Sequence, residues 1–173
     1  MQIVSLPYKD YSGIIKPGIG ACGPDYAYKI AEVFWPGPLT IILKKVDELP
    51  KETTGGLDTV AVRMPIHPIA LKFIKAAGGF VAAPSANLSG KPSPTSSKYV
   101  IEDMLGRIDM IIDGGDSDIG LESTIIDMTS EEPMILRPGF ITQKDLQNVL
   151  ATVSVDETIM SDMSGKAPKA PGM

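Results

Sequence analysis

Short apolar runs alternate with stretches of helical period along most of this chain, and that alternation narrows the possible folds more than any other feature. Residues 39–43, 59–64, 80–83, 108–112, 123–126 and 133–136 read as strands, each four to six residues long and mostly apolar. Between them lie helical signals. Asp25 is placed to cap a helix with Ala27, Ile30, Ala31 and Phe34 on one face, and Pro36 stops it. Pro68 suits the first turn of a second helix, whose apolar stripe is Ala70, Phe73, Ile74 and Ala77 and whose end is Gly78. Residues 98–105 suggest a third helix. Thr142 caps a last one, with Asp145 three residues on and Ile141 placed to pack on Leu146. Strands alternating with helices give the class α/β or α+β. The strands are short and the loops long, which argues against a regular doubly wound sheet. No glycine-rich dinucleotide fingerprint follows a strand, and no Walker phosphate loop is present.

The two ends read differently from the middle. Residues 1–25 are rich in Gly, Pro and Tyr and have no clear period; Lys16-Pro17-Gly18-Ile19-Gly20 reads as loop. Residues 151–173 lack aromatics and drift into Ser, Gly, Lys and Pro, as a linker or disordered tail does. That leaves one domain over residues 26–150. Its apolar runs are far too short to cross a bilayer, so no membrane partner is expected. A net charge of −5 makes the chain a poor bulk binder of nucleic acid, without excluding a local basic pocket. With Cys22 as the single cysteine and no signal peptide, a cytoplasmic location is expected. One His and one Cys make a zinc site very unfavourable.

The residues most suited to chemistry cluster in four places. Ala83-Pro84-Ser85-Ala86-Asn87-Leu88-Ser89-Gly90-Lys91-Pro92-Ser93 leaves an apolar strand and offers hydroxyls, an amide and a lysine. Small side chains let a ligand approach the backbone, and hydroxyls and N–H groups suit phosphate oxygens. The same composition also describes a solvated turn that leads into the next helix. Arg63 ends the strand Thr59-Val60-Ala61-Val62-Arg63, where a guanidinium grips a carboxylate or phosphate with two bonds or sits on an edge strand as a surface charge. Glu122-Ser123-Thr124 opens a strand after the turn Asp113-Gly114-Gly115-Asp116, whose carboxylates read as turn formers rather than metal ligands. Arg137-Pro138-Gly139 ends the following strand with a second arginine. His67 belongs to a helix start, Trp35 to a packed corner, and the methionines to ordinary filling.

Five of these segments occur here in the order and spacing of one family. Phe34-Trp35-Pro36-Gly37-Pro38-Leu39-Thr40, Val62-Arg63-Met64-Pro65, the loop at residues 84–93, Glu122-Ser123-Thr124 and Leu136-Arg137-Pro138-Gly139 together resemble a YrdC-like domain over roughly residues 26–150. The resemblance implies a twisted open mixed α/β sheet with helices around a concave, positively charged cavity. It implies an L-threonylcarbamoyladenylate synthase, a nucleotidyltransferase that makes threonylcarbamoyl-AMP and pyrophosphate from L-threonine, bicarbonate or CO₂, and ATP with Mg²⁺. The product would pass to the machinery that forms threonylcarbamoyladenosine on tRNA. By position, Arg63, Ala83 and Ser123 would contact threonine, and Thr59, Ser85, Asn87, Ser93 and Arg137 would serve ATP. No acid or base and no protein metal site is implied.

The sequence also departs from the family. A Thr, a Tyr, a Lys-and-Arg stretch and a His are expected before the tryptophan motif, and residues 1–25 hold no match to the cationic stretch. Met1-Gln2-Ile3-Val4-Ser5-Leu6 aligns with the strand that carries the His, with Ser5 in its place. Residues 169–173 resemble the linker of long-form synthases, which continue into a second domain. The chain is therefore expected to be clipped at both ends, to bind ATP weakly, to expose a sheet edge, and to be of uncertain activity on its own. Two other readings compete. One is a non-catalytic nucleotide- or double-stranded-RNA-binding module. The other is the YrdC-like part of a carbamoyl-transfer maturation factor, which would bring zinc-finger cysteines that this chain lacks.

Overall fold

A computed structural model describes residues 3–5, 24–117 and 120–156. The first helix, α1 (Pro24–Phe34), forms where its period was read, but it starts two residues early and places Asp25 in its first turn rather than at the cap. The strands β2 (Leu39–Lys44) and β3 (Thr59–Arg63) follow, joined through a one-turn helix α2 (Lys51–Thr54) that the sequence pattern did not signal. Then come α3 (Pro68–Ala76), β4 (Val81–Ala83), α4 (Ser97–Met104), β5 (Thr124–Asp127), β6 (Met134–Arg137) and α5 (Gln143–Gln147). β1 (Ile3–Ser5) falls within residues 1–6, which the resemblance aligns with a strand, whereas β7 (Ser154–Val155) lies inside the stretch read as a linker and was not anticipated. The rest of that stretch, from residue 157, lies outside the described residues, as do residues 6–23.

The strands form one mixed sheet in the order β4-β1-β3-β2-β5-β6-β7. β1 runs parallel to β3 and antiparallel to β4, so three residues from the start of the chain sit between strands that follow much later. β2 is antiparallel to β3 and parallel to β5. The sheet is open and mixed, as expected.

One face carries the main core. Leu39, Ile41, Leu43, Val60, Val62, Ile126 and Ile135 pack with Ala27, Ile30 and Ala31 of α1 and with Leu146 and Leu150 from α5 and the turn after it. Each fully buried Ile or Leu contributes on the order of 1.5–3 kcal/mol. Trp35 closes this core as the expected corner and donates from Nε1 to the Leu39 carbonyl at 2.6 Å. Gly37 is required there, because a Cβ would stand 2.4 Å from the Phe34 carbonyl oxygen. The other face is smaller, built on Ile42, Ala61, Ile125 and Leu136. By strand alternation it also receives Thr59 and Arg63.

Two expectations fail outside the sheet. Residues 108–112 form no strand, because no neighbouring strand among the described residues offers them a ladder. α3 forms with Pro68 in its first turn, but of its apolar stripe only Ile74 is buried, and Phe73 is 49% exposed. Among the described residues, no helix is long and apolar enough to cross a membrane.

Candidate active site

The second sheet face gathers most of the residues singled out from sequence. β5 and β6 pair with a register shift between Ile125 and Ile126: Ile126 faces Ile135, but Ile125 faces Arg137. This bulge inserts Leu136 and turns Arg137 to the side of Ile125. There the Arg137 guanidinium donates from Nε and one terminal nitrogen to the Ser123 carbonyl, at 3.1 and 2.9 Å. The same terminal nitrogen donates to Ser123 Oγ at 3.1 Å. Its other terminal nitrogen pairs with Glu122 at 3.1 Å. Ser123 Oγ also bonds to Thr40 Oγ1 of β2 at 2.9 Å. Gly139 makes this arrangement possible, since a Cβ on it would lie 2.4 Å from the Glu122 carbonyl and 2.6 Å from the Thr124 amide.

Arg63 closes the same end of the sheet. Its Nε is buried and has no hydrogen-bond partner among the described residues. Burial pushes its pKa down, and the nearby Arg137 charge adds to that effect. Arg137 is likewise lowered by burial, with Glu122 opposing the shift. Both arginines stay cationic at neutral pH. Two half-buried guanidiniums, one of them incompletely bonded, suit an anion such as a carboxylate. In register beside Arg63 stands Ser5, the residue that the resemblance puts at the histidine's place.

Thr59 and Ala83 lie further along the same face. Thr59 lies four residues from Arg63 on β3, about 13 Å away at strand rise. Ala83 is level with Ala61 across β1, so the chain leaving β4 heads toward the Thr59 end, with Ser85 two residues on. Thr59 is thus apart from the arginines along β3. The loop that follows bridges the gap, because Ser93 Oγ donates to Glu122 at 3.0 Å.

That loop is held at several points. Asn87 Nδ2 donates to the carbonyls of Leu88 and Lys91, both at 2.9 Å. The Leu88 carbonyl accepts from Lys91 N at 3.1 Å, with Gly90 at the positive φ of 86° that such a tight turn demands. Lys91 pairs with Asp103 of α4. Asn87 Oδ1 is buried without a partner among the described residues. Asp113 accepts from Ser97 Oγ and Gly115 N, both at 2.9 Å, as a turn former does. His67 stands at the N-terminal boundary of α3.

Two residues here were not assigned from sequence. Glu122 lay inside a quoted motif, yet its link between Arg137 and the loop depends on tertiary contact. Thr40 did leave a signal: it is the one hydroxyl in the strand LTIILK, and it is 0% exposed.

Comparisons with known proteins fit this arrangement. A family model described as telomere recombination (Sua5/YciO/YrdC) matches residues 20–139. The chain belongs to the Sua5/YciO/YrdC family. It is 50% identical over 150 residues to a threonylcarbamoyl-AMP synthase of Pyrococcus abyssi, covering 87% of this chain and 44% of the relative. It is 48% identical over 151 residues to the synthase of Bacillus subtilis, covering 87% and 43%. The chain therefore spans less than half the length of these Sua5-type relatives. A crystal structure of Pyrococcus abyssi Sua5 in complex with L-threonine superposes with a TM-score of 0.89 at 45% identity, covering 99% of this chain and 49% of that one. Escherichia coli YciO shares the fold, with a TM-score of 0.69 at 24% identity, covering 84% and 68%.

Proposed function

We propose that this chain is the part of a threonylcarbamoyl-AMP synthase that holds L-threonine and one side of the nucleotide. The observation that carries the reading is Arg63: a half-buried guanidinium with an unpartnered Nε, beside Arg137 and on the same sheet face as Ser123. A structural ion pair would have satisfied that atom; a ligand-binding arginine leaves it for the ligand. The carboxylate of threonine is the matching group, and relatives named as synthases supply the substrate class.

In this reading Arg63 and Ser123 hold threonine, with Ala83 lining the pocket. Thr59, Ser85, Asn87, Ser93 and Arg137 hold ATP along the loop that crosses the sheet face. The threonine amine captures CO₂, and the carbamate oxygen attacks the α-phosphorus as pyrophosphate leaves. Two anions meet, so fixed cations and donors do more than a strong base would. Arg63 and Arg137 provide that field without a nucleophilic side chain. Among the described residues no cluster of His, Cys, Asp or Glu is arranged to hold a metal. Mg²⁺ would accordingly enter on the ATP phosphates, where it neutralises their charge. The adenylate would pass to a tRNA-modifying activity in the cytoplasm. A nucleotide- or RNA-binding module without turnover is the less favoured reading, since the relatives bear the names of synthases.

The decisive experiment is pyrophosphate release from purified protein with ATP, Mg²⁺ and bicarbonate, with and without L-threonine. Threonine-dependent release that disappears in Arg63→Ala would show that this chain suffices for turnover; L-threonine binding that is lost in Arg63→Ala is the outcome the reading requires. A folded sample that binds L-threonine no better than Arg63→Ala does would sink the reading.

A further inference from the structure

We infer that Glu122 is an internal occupant of a phosphate position: its carboxylate sits on the Arg137–Ser93 pair that the proposed function gives to ATP, and a phosphate group gains both contacts only by displacing it. The inference rests on that reading and deepens it by naming what competes with the nucleotide. Its basis is that one small anion joins the two residues directly. Glu122 Oε2 lies 3.1 Å from Arg137 Nη1. Glu122 Oε1 accepts from Ser93 Oγ at 3.0 Å. A residue of β6 and a residue of the 84–93 loop are therefore both within reach of a single two-oxygen group. A phosphate presents its oxygens in the same manner, and a guanidinium binds carboxylate and phosphate alike.

Counting donors shows why the two anions exclude one another. Arg137 Nε and Nη2 are committed to Ser123: both donate to its carbonyl, at 3.1 and 2.9 Å, and Nη2 also donates to its hydroxyl at 3.1 Å. That leaves Nη1 as the end of the guanidinium open to a ligand, and Glu122 holds it. Ser93 has one hydroxyl proton, and Glu122 accepts it. A phosphate oxygen is an acceptor like the carboxylate, so it needs the same protons. Nη1 carries a second N–H, but a phosphate bound there beside Glu122 would meet a like charge at close range. Nor is Glu122 needed to hold its neighbours in place. Arg137 keeps its aim through Ser123, and the loop keeps its shape through Asn87 and the Lys91–Asp103 pair. The Glu122 side chain is 51% exposed against 26% for Arg137, so it can swing into solvent while the guanidinium stays. An exposed pair of this kind adds little to the fold and breaks easily. Glu122 thus lowers the affinity for nucleotide and takes the cation back when the site empties.

The test is calorimetric titration of ATP with Mg²⁺ into wild type, Glu122→Gln, Glu122→Ala and Glu102→Gln, with urea unfolding of each. Glu122→Gln and Glu122→Ala should both bind ATP about fivefold more tightly than wild type, the factor that release from a partly exposed ion pair gives. Their urea midpoints should stay close to that of wild type. Glu102→Gln removes an equal charge from an exposed position on α4 and should bind ATP as wild type does. Weaker ATP binding in Glu122→Ala, with Glu122→Gln near wild type, would make Glu122 a residue that orients Arg137, and would overturn the inference. An equal gain in Glu102→Gln would reduce the effect to net charge and overturn it too, as would ATP affinities that do not change or cannot be detected in any variant. L-threonine is titrated in parallel into wild type and Arg63→Ala. Absence of Arg63-dependent threonine binding sinks the proposed function, whereas the ATP series alone decides the role of Glu122.

Discussion

Arg63 is the residue at which folding and function pull apart. Its guanidinium is desolvated, lies near a second arginine and leaves Nε unbonded, so it adds nothing evident to stability. Arg63→Met is therefore expected to leave the urea midpoint unchanged or to raise stability by up to ~1 kcal/mol. The same change should weaken L-threonine binding by more than about tenfold, the loss of a charge-assisted bond. Paired urea titration and calorimetry check both; a clear loss of stability would mean that Arg63 serves the fold. Gly139 has the opposite character. A methyl group there meets backbone at 2.4 to 2.8 Å, which the start of β5 can relieve only by moving. Gly139→Ala should cost about 1–3 kcal/mol, as overpacking does, and should weaken threonine binding by displacing Ser123.

At the scale of elements, local rules set the ends and tertiary pairing set the aim. The last helix begins with a complete capping box, in which the Asp145 amide donates to Thr142 Oγ1 at 3.2 Å and Thr142 N donates to Asp145 at 2.9 Å. Asp145 is held below the usual carboxylate range, first by the Thr142 side chain and then by the Thr142 backbone. A folded-state pKa below the unfolded value means stability that is present above the unfolded pKa and lost as pH falls through the folded one. Asp145→Asn should therefore flatten the acid limb of the stability curve below about pH 4. Urea midpoints taken across the acid range measure this, and an unchanged acid limb would count against it. The bulge in β5–β6 works differently: nothing local in Leu136-Arg137-Pro138-Gly139 announces it, yet it turns Arg137 onto the site face.

Over the whole molecule, the larger buried core lies on one sheet face, and several large apolar side chains elsewhere stay exposed. Leu105 is 74% exposed and Met110 75%, and Ile101, Ile108, Ile112 and Leu121 are exposed as well. Apolar exposure of that extent favours self-association. Leu105→Gln with Met110→Lys should reduce concentration-dependent scattering while changing stability by less than ~0.5 kcal/mol; wild type that stays monodisperse at high concentration would refute this. The sequence by itself determined β2 to β6 to within one residue, the α1 period, the Trp35 corner and the capping box, because those depend on the local pattern of residues a few positions apart. Five motifs in order also carried the family. Tertiary structure alone decided the rest. Thr40 and Ser123 meet across 83 residues of chain. Ile3–Ser5 becomes a strand because β3 and β4 leave a slot between them, and residues 108–112 do not, although their pattern is the stronger one. A strand is completed by its neighbour's hydrogen bonds, and no reading of one segment contains its neighbour.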